Sequence, residues 1–214
     1  MLADIPRAGP GFRVRQVVVV DNGSADRTAA VARDAGATVV AEPRRGYGAA
    51  CLKGLEHLRR DPPQVVAFLD ADHSDDPREL AVLLEPIARG AELVVGSRVL
   101  GEREPHALTP VQHLGNRLAA LLMRVLFGGR FTDLGPFRAI RWDVLERLGM
   151  RDRDFGWTVE MQARSLRAGL ACAEVPVRYR RRRLGTSKVS GTLSGVWGAS
   201  TKILLTIARV RLGG

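Results

Sequence analysis

Four short apolar runs, spaced by helix-like stretches, constrain this chain more than any other feature. They cover residues 17–20, 38–41, 65–69 and 93–95, and they are rich in valine. Runs of this length and branching read as buried strands. Residues 25–35 follow as a helix with Ser24 as the expected N-cap and Gly36 as the stop. Residues 46–59 form a second helix. Residues 77–88 form a third, with Pro77 in its first turn. Strand and helix therefore alternate four times. The expected fold class is α/β, with a mostly parallel sheet covered on both faces.

Ligands bind such sheets beyond the carboxyl ends of the strands. Three polar motifs fall at those ends: Asp21-Asn22-Gly23-Ser24, Asp70-Ala71-Asp72 and Gly96-Ser97-Arg98. Asp70 and Asp72 stand two residues apart, so both carboxylates leave the strand end on one side. Hard oxygen ligands in that arrangement suit Mg2+ or Mn2+ shared with a diphosphate. An isolated Asp-x-Asp also arises as plain turn chemistry; its place directly after residues 65–69 is what raises its weight. Asp21 to Ser24 can face a ribose or a base, or serve only as a capped turn. Arg98 and Arg138 each lie beside an expected strand and a glycine turn, and so stand out as phosphate ligands among many surface arginines.

Other chemistries fit poorly. Gly46-x-Gly48 begins like a dinucleotide-binding turn, but Cys51 occupies the third glycine's place, and packing of helix on strand is the expected use of these glycines. No phosphate-loop signature occurs. His73, His106 and His113 lack ligand spacing. The formal charge of +10 favours anionic partners. Nucleic acid is not the expected one, because aromatic residues make up 5% of the chain and no recognition motif appears. Cys51 and Cys172 read as thiols of a reducing compartment. No secretory leader and no membrane-spanning run is recognised, so the expected location is cytoplasmic, including the cytoplasmic face of a membrane.

The second half is less regular. Residues 111–127 read as an amphipathic helix, 132–138 as a turn entering a short strand, and 157–168 as a helix. Residues 172–179 read as a strand, 178–188 as a basic loop, and 192–210 as a final amphipathic helix. Both amphipathic helices are basic, which admits peripheral membrane contact beside ordinary core packing. The whole chain, 1–214, is taken as one domain. Its first half spans 1–110, its second half 111–190, and its C-terminal helix 191–214.

Together and in order, the motifs resemble glycosyltransferase family 2, in its dolichyl-phosphate or polyprenyl-phosphate sugar synthase branch. The matching segments are 17–28, 45–50, 68–77, 95–98, 132–138 and 185–188. The resemblance implies the nucleotide-diphospho-sugar transferase (GT-A, Rossmann-like) fold. It also implies an inverting, metal-dependent hexosyltransferase, with a nucleotide sugar as donor and a lipid phosphate as acceptor. Asp21, Asn22, Gly23 and Ser24 would lie at the nucleoside. Asp70, Ala71 and Asp72 would lie at the donor diphosphate, with Asp70 and Asp72 as metal ligands. Ser187 and Lys188 would close over the donor. Arg98, Arg117, Arg138 and Glu160 would lie on the acceptor side, with Asp133, Arg98 and Arg138 at the reaction centre. If the acceptor is a hydroxyl, a carboxylate such as Asp133 has to act as base. Two departures stand out. Ser74 holds a position where the branch often has glutamine. The family's first strand has no counterpart before residue 17, which is expected to leave a sheet edge exposed. The alternatives are the same fold with a soluble hydroxyl acceptor and, from the missing strand, a nucleotide-sugar binder without turnover.

Overall fold

The computed structural model describes residues 1–105, 107–181 and 193–213. A short hairpin pairs β1 (Ala8–Gly9) with β2 (Phe12–Arg13). Strand β3 (Val18–Asp21) leads through α1 (Thr28–Asp34) to β4 (Thr38–Ala41), its parallel partner. Helix α2 (Tyr47–Leu58) and β5 (Val65–Phe68) follow, then a 3-10 turn (Pro77–Glu79), α3 (Leu80–Ala88) and β6 (Leu93–Ser97). The second half supplies α4 (Pro110–Phe127), β7 (Arg138–Arg141), α5 (Trp142–Leu148), α6 (Trp157–Arg167), β8 (Cys172–Pro176) and α7 (Leu193–Arg211).

The four-stranded sheet has the order β5-β7-β6-β8. Strands β5, β6 and β8 run the same way, and β7 runs against its two neighbours. The mostly parallel sheet is therefore present, with one antiparallel strand inserted where β5 and β6 would have met. Strand β3 shares no ladder with β5, and each keeps one edge without a strand partner among the described residues. The expected exposed edge lies there. It explains why Val18 to Val20 are only half-buried despite their composition.

Several local readings need correction. Ser24 does not cap α1; its N–H goes back to the Asp21 carboxylate, and the Asp26 carboxylate takes the Thr28 N–H instead. The turn of 132–138 does enter a short strand, which begins at Arg138, whereas the strand from Cys172 ends at Pro176, short of Tyr179. Gly46 and Gly48, at the start of α2, face the 152–153 backbone and not a strand. A Cβ on Gly48 would meet the Asp152 carbonyl oxygen at 2.1 Å, and one on Gly46 the Arg153 carbonyl oxygen at 2.2 Å. They let the helix start approach the 152–154 backbone. Carbonyls there accept from the Gly48 and Ala49 N–H groups. Those helix-terminal donors are thus satisfied, and α2 offers no phosphate cradle.

The main apolar core joins both halves: Leu55, Leu93, Met123, Trp157 and Ile207 belong to one cluster. Helix α4 begins with a full capping box between Thr109 and Gln112 and ends on Gly128 in the left-handed region. Cys51 and Cys172 are free thiols.

Candidate active site

Strand β5 delivers Asp70 and Asp72 two and four residues beyond its end. Asp72 Oδ1 accepts the Ser74 N–H at 2.9 Å and also the Ser74 hydroxyl. The intervening turn puts His73 at φ 68°, a costly backbone for a non-glycine residue. Behind the turn lies Asp75, which sequence reasoning passed over. Its Oδ2 takes the Asp70 N–H at 3.1 Å, while its buried Oδ1 has no hydrogen-bond partner. Burial, reinforced by the nearby Asp70 and Asp72 charges, pushes the Asp75 carboxyl up to about 7.

No set of three or more metal-ligating side chains converges among the described residues. A cation held by two carboxylates, completed by donor phosphate and water, needs no such set. The orphaned Asp75 oxygen and the mutual repulsion of these carboxylates are what such an ion would relieve. The residues present therefore fit a divalent metal at Asp70 and Asp72.

The Asp75 shift carries a stability prediction. The folded carboxyl binds its proton up to about pH 7, while an unfolded one releases it near 3.8. The folded state thus holds more protons across that range. Stability contributed by protonated Asp75 is present below 3.8 and lost as pH rises through about 7. Asp75→Asn is expected to raise the midpoint of urea unfolding at pH 8 in chelator, and to flatten the fall in stability between pH 5 and 8.

Strand β6 ends at Ser97, and Arg98 follows it. Arg98 makes a bidentate pair with Asp133, at 2.8 Å from Nε and 2.7 Å from the terminal nitrogen. Asp133 has no exposed surface. It also accepts the N–H groups of Arg98 and Leu134. Burial alone would raise its carboxyl; the Arg98 charge and these hydrogen bonds outweigh that and hold it below the usual range. Burial likewise opposes the charge on Arg98, and Asp133 overrides it, keeping Arg98 fully charged. The Arg98 guanidinium lies 5.0 Å from the centre of the Tyr179 ring. Tyr179 in turn bridges to Asp75 through the backbone.

The 132–134 loop that carries Asp133 is pinned from both sides. Asn116 on α4 donates to the Thr132 carbonyl and accepts from the Leu134 N–H. Glu174 on β8 accepts the N–H groups of Thr132 and Asp133. The segment after β8 is fastened to the Asp70 loop. Arg180 donates its N–H to the Ser74 carbonyl, and its guanidinium pairs with Asp76 at 2.5 Å. Ser187, Lys188, His106 and most of the basic loop lie outside the described residues.

The other expected site residues are placed differently. Arg138 is 1% exposed, and its guanidinium bonds only backbone carbonyls, those of Leu134, Gly135 and Thr158. Burial pushes it down to about 10. It bolts the 134–135 turn to α6. Glu160 is also buried, and accepts from the Arg151 and Asp152 N–H groups and from Arg164. Arg117 lies exposed on α4. Asn22 ties its own loop to the one between β4 and α2: it donates to the Glu42 and Arg44 carbonyls and accepts the Gly46 N–H. Asp21 and Asn22 are half-buried, while Gly23, at φ 73°, and Ser24 are exposed at the strand end.

Residues 12–149 match the model of glycosyl transferase family 2. The chain belongs to that family. An uncharacterised glycosyltransferase of Mycobacterium bovis is 39% identical to this transferase over 91% of the chain and 84% of the relative. The polyprenol monophosphomannose synthase of Mycolicibacterium smegmatis is 31% identical over 82% of the chain and 71% of its own length. The undecaprenyl-phosphate mannosyltransferase of Micrococcus luteus is 31% identical over 84% and 77%. The crystal structure of glucosyl-3-phosphoglycerate synthase from Mycobacterium tuberculosis, solved with Mn2+, UDP-glucose and phosphoglyceric acid, superposes with a TM-score of 0.71. It covers 92% of this transferase and 69% of that chain, at 22% identity. That likeness establishes the GT-A fold.

Proposed function

We propose that this transferase moves a hexose from a nucleotide-diphospho-sugar, of the UDP-glucose or GDP-mannose type, to polyprenyl phosphate. The observation that carries the acceptor is the state of Asp133. Its carboxylate is buried, bidentate to Arg98 and held ionised at low pH, so it accepts protons poorly. A hydroxyl acceptor needs a general base. A phosphate is already ionised and needs only a fixed cation, which Arg98 supplies. The names of the mycobacterial and Micrococcus relatives support the same acceptor class.

In this reading, a phosphate oxygen of the acceptor attacks the anomeric carbon from the face opposite the donor diphosphate. The bond from that carbon to the diphosphate oxygen breaks, and the electron pair leaves with the nucleoside diphosphate. Asp70 and Asp72 would hold Mg2+ or Mn2+, which supplies charge neutralisation for that diphosphate. Asp21, Asn22, Gly23 and Ser24 form the nucleoside side. Arg98 orients the acceptor phosphate, while Asp133 and Tyr179 hold Arg98. Arg138 and Glu160 act indirectly, by fixing the 134–135 turn and the 151–152 turn. Arg180, zipped to Ser74 and Asp76, is held beside the Asp70 turn. Arg98 from the first half pairs with Asp133 from the second, which supports a single catalytic unit. The work is placed at the cytoplasmic face of a membrane, where a lipid-linked phosphate resides.

Incubation with each donor, Mn2+ and either polyprenyl phosphate or polyprenol tests this. A phosphate-linked glycolipid, seen by mass spectrometry only with polyprenyl phosphate and lost in chelator, is the expected result. Equal turnover on polyprenol would sink the acceptor assignment.

A further inference from the structure

Elements from distant parts of the chain meet at the turn between α5 and α6. Asp152, buried, lies at its centre. Its Oδ1 accepts the Asp154 N–H at 2.7 Å. Its Oδ2 meets Lys202 Nζ at 3.2 Å and the Thr206 hydroxyl at 3.4 Å, both on α7. Gly156 leaves the room for this, since a Cβ there would collide with the Asp152 carboxylate and the Thr206 hydroxyl. The carboxylate is enclosed, while the lysine side chain that meets it is 35% exposed. Such a pair adds little net stability, because desolvation offsets attraction; the stronger reason for one here is the geometry it fixes.

The same turn seats the start of α2. The Arg153 and Asp154 carbonyls accept the Ala49 and Gly48 N–H groups at 2.9 and 3.2 Å. Gly46, the residue just before the helix, gives its own N–H to Asn22 Oδ1 at 2.9 Å. Asn22 belongs to the motif assigned to the nucleoside. A continuous run of contacts therefore leads from α7, through the Asp152 carboxylate and the 152–154 backbone, to the loop of Asp21 to Ser24.

We propose that Asp152 is a positioning residue for the nucleotide: paired with Lys202, it fixes the turn on which the start of α2 and, through Gly46, the nucleoside loop are seated. It acts through these contacts and not on the reacting atoms. Groups that hold a binding loop from behind set how precisely the loop meets its ligand. The inference rests on the nucleoside placement given under the proposed function, and adds to it a determinant more than a hundred residues further along the chain.

Calorimetric titration of UDP and of GDP, each with Mn2+, tests it. Asp152→Asn keeps an oxygen for the Asp154 N–H but removes the charge. It is expected to weaken whichever nucleotide the parent binds by about tenfold. Lys202→Met, at a partly exposed site, should weaken it to a similar degree, and the two changes together no further, as expected of one unit. Lys202→Arg keeps the charge and should stay close to the parent. Val210→Ala removes buried packing from the same helix without touching the pair. It should lower the thermal midpoint yet leave nucleotide affinity unchanged. Parent-like affinity in both Asp152→Asn and Lys202→Met would overturn the proposal. So would a loss in Val210→Ala equal to theirs, because the effect would then follow stability and not the pair. A parent that binds neither nucleotide sinks the donor site itself, and this inference with it.

Discussion

Arg98→Ala is expected to lose about 3–5 kcal/mol of stability, because it strands the Asp133 carboxylate in the core without its cation. For a chain of this size that is a fall of roughly 10 °C or more in thermal midpoint. The pH dependence gives the cause away. In the parent, Asp133 has a lowered folded pKa, so its contribution is present above 3.8 and fades as pH falls through the folded value. In the variant, desolvation is unopposed by Arg98 and the carboxyl moves the other way. The stability deficit should then shrink as the solution is acidified, and scanning calorimetry from pH 8 to 5 measures it. A deficit that grows toward acid would refute the buried-pair account. Arg98→Met combined with Asp133→Leu should recover much of the lost stability, since replacing a whole buried pair by apolar residues is often neutral or better. It should recover no transfer. That split separates what the pair does for the fold from what Arg98 does for an anionic acceptor.

The sequence made the strand ends legible because branched runs such as Val65 to Phe68 break off abruptly into carboxylates. Burial and periodicity both act locally there. What stayed hidden was set by contacts distant along the chain. Nothing local in residues 138–141 says that they insert antiparallel between β5 and β6. Asp133 reads as a base until its partner, 35 residues earlier, is seen to occupy it. Arg138 reads as a phosphate ligand because it stands beside a strand and a glycine turn, and only the fold supplies the backbone carbonyls that hold its guanidinium. Asp75 could have been suspected. It sits in an acidic run, and crowding among Asp70, Asp72, Asp75 and Asp76 calls for some counter-charge. The Arg180 guanidinium meets that need for Asp76, while Asp75 keeps one oxygen unpartnered.

Asp72→Asn should show the reverse of the Arg98 pattern. Its stability cost is expected to be small, below about 1 kcal/mol, and it can even stabilise the metal-free chain by relieving repulsion on Asp75. Asparagine keeps an oxygen for the Ser74 N–H, so the turn survives. Transfer, however, should fall by about a thousandfold or more in kcat/KM, the size expected when several kcal/mol of charge stabilisation is removed. Calorimetric titration of UDP-glucose and then GDP-mannose, each with Mn2+ and with chelator, isolates the donor step. The parent is expected to bind one of them only with metal, and the variant neither. Metal-dependent binding that survives in Asp72→Asn would move the ion to other ligands and leave the Asp70 turn with a structural role. Binding lost together with folding would be equally damaging, because the Asp72 carboxylate is then one that the fold itself cannot do without.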